Sequence, residues 1–291
     1  MFDYNEKYSN YLSAFDQQLN SAINNLVGVP QLLKDAMVYA VVDGGKRVRP
    51  VLCFAVADML GVNFSEVKEF ALALECIHSY SLVHDDLPSM DNDDYRRGKL
   101  STHKKFGEAY GILAGDALLN FAFEHCLSKP NFDNKCAKAL SVLADCAGAN
   151  GMIKGQVLDL YNEKSIVLNE KTLYDIYENK TAKLLTAPLL ISSIFADNKF
   201  YNELNDFGYH LGVMFQITDD IMDVEGTLEL IGKTPNKDEQ SEKLTSVKLF
   251  GIDGAKKRCE YHYNCCMKVL KTVDNSEFLA AFTDKIYNRK K

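Results

Sequence analysis

The stretch FALALECIHSYSLVHDDLPSMDNDDYRRGK, residues 70–99, decides how the chain is read. Its first part, FALALECIHSYSLVHDD (70–86), repeats apolar residues at helical spacing and predicts a long buried helix. Its second part sets five aspartates between positions 85 and 94, followed by adjacent arginines at 96 and 97. A buried helix that runs into like charges needs something to neutralise them. Asp85 and Asp86 close the helix, and Asp91 lies five and six positions further on, where an ideal helix would point it elsewhere. Pro88 disturbs that turn and lets Asp91 come back into line. The plainest alternative is a helix end with a polar loop. An EF-hand loop accommodates Asp91 and Asp93, but Tyr95 stands where an oxygen ligand belongs and no glycine follows it.

TDDIMD (218–223) repeats the theme downstream, with Asp219, Asp220 and Asp223 at i, i+1 and i+4. That spacing makes 219/223 and 220/223 neighbours on one helical face. Apolar residues before and between them place the patch on an otherwise buried helix. Carboxylates of this kind suit a hard cation such as Mg²⁺, which binds through a few carboxylates plus substrate phosphates. Two clusters on separate buried helices point to a shared counter-ion, and phosphates call for basic residues nearby. Arg96 and Arg97 follow the first cluster directly. GGKRVRP (44–50) sets Lys46, Arg47 and Arg49 after two glycines at the start of an apolar helix. Helix N-termini favour anions. The Walker spacing GxxxxGK[ST] is absent there.

The rest of the chain is read as helices. VLCFAVADML (51–60) and FGEAYGILAGDALLNFAFEH (106–125) have the same periodicity, and Gly107, Gly111 and Gly115 form an i,i+4 row that admits a close neighbour. Glu108 and Asp116 on that helix favour tight soluble packing over a membrane pair. LLTAPLLISSIFA (184–196) is too short to span a bilayer and reads as a buried helix. Pro30, Pro50, Pro130 and Pro188 fit helix starts or boundaries, and Pro235 lies in the polar stretch GKTPNKDEQSEK (232–243), a candidate surface loop. No linker or repeat divides the chain. The expectation is one all-α domain over residues 1–291, a bundle of about ten or more helices around a cavity. A net charge of −7 argues against a nucleic-acid partner. MFDYNEKYSN carries no leader pattern, and the eight cysteines form no CxxC pair. They read as reduced core thiols of a cytoplasmic protein.

Taken in order, these motifs resemble the trans-isoprenyl diphosphate synthases. DDLPSMD (85–91) with RRG (96–98) and DDIMD (219–223) look like that family's two aspartate-rich motifs, and GGKRVRP like its basic box. ECIHSYSLVHDD, HKKFGEA, LAGDALL, GQVLDL (155–160), KTAKL (180–184), FQITDD (215–220) and GK (232–233) continue the match from about residue 40 to about 250. The four residues between Asp86 and Asp91 resemble the bacterial and plant branch, and within it the tyrosine and serine before HDD look most like the bacterial farnesyl enzymes.

The resemblance implies an all-α fold around a central cavity, a homodimer, and Mg²⁺-dependent head-to-tail condensation of isopentenyl diphosphate onto an allylic diphosphate. About three ions are implied. Asp85, Asp91 and Asp219 would hold them, with Asp86, Asp220 and Asp223 supporting directly or through waters. Arg96, Lys180 and Lys233 would grip the allylic diphosphate, and Lys46, Arg49, His78 and Arg97 the isopentenyl diphosphate. Thr181 and Gln216 would line the region where the cation forms. The family pattern makes Tyr80 the residue that limits the product to fifteen carbons, although in an ideal helix Ser81 lies closer to the face of Asp85. Departures fall at Leu100, Ser101 and Asn236, and at KLTS (243–246) where the family has KxTY. The rival readings are a geranylgeranyl diphosphate synthase, a terpene cyclase, a non-catalytic subunit that pairs with an active synthase, and a helical scaffold with acidic patches. DDIMD disfavours the cyclase, and the basic boxes disfavour the last two.

Overall fold

The computed structural model describes residues 2–42, 45–163, 169–225 and 243–289. Its centre is α10 (Lys183–Phe195), in which every residue from Leu184 to Phe195 is buried. Around it pack α3 (Val48–Leu60), α4 (Phe64–Asp85), α7 (Asn134–Ala147) and α11 (Tyr201–Glu225). An outer set completes the bundle: α1 (Tyr4–Asn24), α2 (Gln31–Val41), the short α5 (Thr102–Phe106), α6 (Glu108–Leu127), α8 (Met152–Asn162), α9 (Glu170–Ile176), α12 (Ser246–Leu270) and α13 (Glu277–Tyr287). The only strands among the described residues are two-residue pieces, Tyr95–Arg96 against Lys99–Leu100, paired antiparallel as Tyr95↔Leu100. The all-α expectation holds.

Local chemistry sets the helix ends. The Asn63 side chain accepts the Ser65 N–H at the start of α4, and Thr245 accepts the Lys248 N–H at the start of α12. Within α4, Phe70, Leu72, Leu74 and Ile77 are fully buried. Each such side chain contributes roughly 1.5–3 kcal/mol by leaving water, which makes α4 a rigid post for the aspartates at its end. Two glycines of the predicted row, Gly111 and Gly115, admit close neighbours, whereas Gly107 is the N-cap of α6 with a positive φ and nothing nearer than 3.9 Å to an added Cβ. A Cβ on Gly115 would fall 2.1 Å from His84 Nε2, and one on Gly111 3.1 Å from the Cβ of His103.

Close approach is tightest around Tyr177–Ala182, one turn of π-helix joining α9 to α10. A Cβ on Gly155 of α8 would lie 2.0 Å from the Lys180 backbone N, and one on Gly212 of α11 would lie 2.3 Å from the Ala182 Cα. The wider π turn is thus clamped between two glycine-bearing helices. Such turns collect at functional sites, and this one carries Lys180 and Thr181.

Pro188 corrects an expectation. It marks no boundary but lies inside α10. A helix wholly enclosed by apolar neighbours tolerates the lost donor, because leaving the bundle would expose far more apolar surface than one hydrogen bond offsets. All eight cysteines are unbonded, Cys265 half-buried and the others buried. No described helix is long and apolar enough to cross a membrane.

Candidate active site

The acidic ends of α4 and α11 open onto one cavity of about 780 Å³. Asp85 and Asp219 line it together with Lys180, Thr181 and Gln216. These five residues also line an adjoining lobe of about 250 Å³, to which Asp91, Asp93, Asp220, Arg96, Asp159 and Lys243 contribute. The two clusters, more than a hundred positions apart, therefore share a wall.

The first cluster is shaped by its turn. Past Asp85 the chain folds back, so that the Asp91 N–H donates to the Asp85 carbonyl at 2.8 Å and the Asp93 N–H to the Asp86 carbonyl at 3.1 Å. Asp91 thereby reaches the lobe that Asp85 lines, as the proline in the motif suggested. Asp86 points elsewhere. It is buried and accepts from Arg96 Nε at 3.0 Å and from Arg96 Nη2. In the second cluster, i and i+1 diverge around the helix. Asp219 lines both the main cavity and the lobe, Asp220 is buried and lines the lobe alone, and Asp223 is buried. Asp220 takes the Tyr177 hydroxyl and both the N–H and the hydroxyl of Ser246.

Basic side chains answer these carboxylates one by one. Lys180 Nζ lies 2.6 Å from Asp159 Oδ2, Lys243 Nζ 3.0 Å from Asp91 Oδ1, and Arg289 Nη1 2.8 Å from Asp219 Oδ1. Asp85 differs: among the described residues its carboxylate makes no hydrogen bond or ion pair. Burial pushes its carboxyl up to about 6 against the pull of Lys180, with Asp91 adding to the rise. A half-buried, partnerless carboxylate beside two more is a donor set that fits a hard cation. Among the described residues no three such groups converge into a cage of their own. Mg²⁺ asks for none, since it keeps waters and borrows phosphate oxygens.

The same cavity also has basic lining, with Lys46, Arg49, His78 and Arg97 in its wall, and Lys46 feels the charges of Asp219 and Arg289. Arg47, in left-handed conformation at the N-cap of α3, is buried against Glu75 at 2.9 Å, and both it and Arg49 line the cavity. Arg97 packs its guanidinium against Gly45, where a Cβ would come within 2.8 Å. Burial, reinforced by Arg49, Arg97, Arg96 and Arg47, pulls His78 well below the ordinary histidine range. At neutral pH it is an uncharged N–H donor.

The cavity wall also carries apolar side chains, including Leu119, Met152, Leu185 and Phe215. Tyr80 and Ser81 both line it. Tyr80 is 5% exposed, its hydroxyl without a partner, and its ring meets His84 edge-on at 5.7 Å. Ser81 turns its hydroxyl back to the His78 carbonyl. Thr181 donates to Gln216 Oε1 at 2.9 Å. Lys233 and Asn236 lie outside the described residues. The sequence reading missed Asp159, Tyr177 and Lys243 as individual residues, although GQVLDL and KLTS contain two of them, and it left the reach of the C-terminal tail open. Arg289 in that tail lines the main cavity.

The polyprenyl synthetase family model matches residues 30–278. The chain is 45% identical over 258 residues to a farnesyl diphosphate synthase of Micrococcus luteus, covering 87% of each. A solved geranyltransferase from Legionella pneumophila superposes with a TM-score of 0.86 at 31% identity, covering 98% of this chain and 97% of that one. A geranyltransferase from Helicobacter pylori, solved with magnesium and isoprenyl diphosphate, gives a TM-score of 0.84 at 32% identity over 99% of this chain and 97% of its own.

The lone carboxylate predicts a stability effect of definite sign. With its folded value near 6 against 3.8, Asp85 favours the native state below about pH 4, and that contribution is lost as pH rises through 6. In metal-free protein at pH 7.5, Asp85→Asn is expected to be more stable than the parent by on the order of 2 kcal/mol, a rise of several degrees in melting temperature. The gap should close below about pH 4. Thermal melts in EDTA at the two pH values check it, and a variant less stable than the parent at pH 7.5 would contradict it.

Proposed function

Because the chain belongs to the polyprenyl synthetase family, we propose that it condenses isopentenyl diphosphate with dimethylallyl or geranyl diphosphate and releases farnesyl diphosphate. The observation that carries this reading is the single cavity lined at once by carboxylates from the acidic ends of α4 and α11, by basic side chains and by apolar ones. Asp85, Asp91 and Asp219 would hold magnesium, which would supply positive charge against the diphosphate that leaves. The remaining residues of both motifs brace that arrangement, Asp86 through Arg96 and Asp220 through Tyr177 and Ser246.

The protein's own groups divide the work. Lys180, Arg96, Lys243 and Lys233 take the allylic diphosphate, so that negative charge growing on its bridging oxygen meets fixed cations as the carbon–oxygen bond breaks. Lys46, Arg49, Arg97 and the neutral His78 hold the second diphosphate and aim its double bond at the allylic carbon. Leu119, Leu185 and Phe215 keep water from the cation, and Thr181 and Gln216 offer it weak dipoles without a strong nucleophile. The new carbon–carbon bond forms as the double bond attacks, and a proton then leaves for the departed diphosphate. No side-chain base is required.

The product length is assigned to Tyr80, and its place in the cavity wall supports that reading. Homodimerisation is part of the same proposal. Ile153, Val157 and Tyr161 form an exposed i, i+4, i+8 stripe on α8, and Tyr110 and Leu113 are exposed on α6. Since Ile153 and Val157 also line the cavity, a second copy covering them would dry its open side. Light scattering on the purified chain should read twice 32.7 kDa. A monomer at micromolar concentration would refute that part.

Incubation with labelled isopentenyl diphosphate, an allylic starter and Mg²⁺ tests the rest. A fifteen-carbon product abolished by EDTA is expected, and Tyr80→Ala should shift it to twenty carbons or more. A parent product of twenty carbons would remove Tyr80 as the floor. Folded protein with no Mg²⁺-dependent product would favour the non-catalytic subunit.

A further inference from the structure

One chain of hydrogen bonds crosses the wall between the buried back of the bundle and the cavity. The Asp220 carboxylate, 3% exposed, is its root. Asp220 Oδ2 receives the Tyr177 hydroxyl, the Ser246 N–H at 2.7 Å and the Ser246 hydroxyl at 2.8 Å. The Ser246 N–H is also within 2.8 Å of the Tyr177 oxygen. From Asp220 Oδ1 the chain continues to Gln216 Nε2 at 3.3 Å, and from Gln216 Oε1 to the Thr181 hydroxyl at 2.9 Å. Three elements meet in it: the π turn, α11 and the first residue of α12.

The chemistry of the groups fixes the direction of this chain. A carboxylate only accepts, so the end of the Gln216 amide that meets Asp220 is its NH₂ group. The other end of the amide is then a carbonyl, which also only accepts, so the Thr181 proton is committed to it. What Thr181 turns toward the cavity is oxygen lone pairs and no proton. Without the fixed negative root, the amide can turn over and point the threonine proton into the cavity.

We propose that Asp220 sets the polarity of the Gln216–Thr181 pair so that Thr181 presents lone pairs to the positive carbon, with Tyr177 and Ser246 as positioning residues that hold the root. This deepens the functional reading above and rests on it. It gives Asp220 a task apart from the metal, and gives Tyr177 and Ser246 a part in the chemistry although neither lines the main cavity. Because the root is satisfied from behind by three donors, its charge stays in place while substrates come and go.

A double-mutant cycle in the full-length protein tests it. Tyr177→Phe should lower kcat about tenfold, the loss of one charge-assisted hydrogen bond acting at a distance, with KM for both diphosphates and the Mg²⁺ concentration for half-maximal rate within about twofold of the parent. Thr181→Val should cost about a hundredfold in kcat, and Thr181→Ser should restore most of it. The decisive result is the double variant: Tyr177→Phe with Thr181→Val should be no slower than Thr181→Val alone, since the first acts only through the second. Ser246→Ala, a smaller perturbation, should behave the same way in its own cycle. Multiplicative losses in either cycle, or a raised Mg²⁺ requirement in Tyr177→Phe, would overturn the relay. A parent chain that makes no product overturns the functional reading itself, whereas an active parent with multiplicative losses overturns the relay alone.

Discussion

Like charges held at the ends of two buried helices are the constraint on which the rest of this structure depends. Asp85 and Asp219 face one cavity, and Asp91 is folded back into its lobe. Carboxylates gathered in a partly dry site repel one another and lose hydration, so they persist only if the surrounding packing is stiff and counter-charges are at hand. Both conditions are met. Lys180, Lys243, Arg96 and Arg289 each reach a carboxylate, and under the proposed function Asp85 would be left for a cation that arrives with its own phosphates.

Stiffness comes from the other end of the same helices. α4 is enclosed along most of its length, and α10 fills the centre. Glycines 115, 155 and 212 let neighbouring backbones and rings close to distances that no other residue admits. These contacts place the π turn, and with it Lys180 and Thr181, against the acidic end of α11. Core packing and site geometry are thus one problem. A change that loosens α8 from the π turn moves a cavity lysine and a cavity hydroxyl together.

Much of this was legible in the chain because it is local. Helical periodicity gave α4 and α11, the spacing of the aspartates gave the two acidic ends, and GGKRVRP gave basic lining. What stayed hidden is non-local or depends on fine geometry. Lys243 meets Asp91 across 152 positions and Arg289 meets Asp219 across 70, and no periodic pattern announces either. The π turn hides in YENKTA, which reads like any helix. Arg47 and Arg49 look equivalent in a basic run and both line the cavity, yet Arg47 is tied to Glu75 across 28 positions, which no local pattern announces. Asp219 lines the main cavity and its lobe, whereas Asp220 is buried and lines the lobe alone. Pro188 reads as a boundary only until its helix is known to be buried on all sides.

The claim that matters most is that the acidic ends take a cation together with a diphosphate and only weakly without one. Calorimetric titration of Mg²⁺ into the protein, with and without inorganic pyrophosphate, asks this directly. The account predicts weak binding alone and an affinity at least about tenfold higher when pyrophosphate is present. Asp219→Asn should abolish that gain. Equal Mg²⁺ affinity in both titrations would contradict it, because the carboxylates would then be a metal site in their own right and the basic lining of the cavity would have no part in filling it.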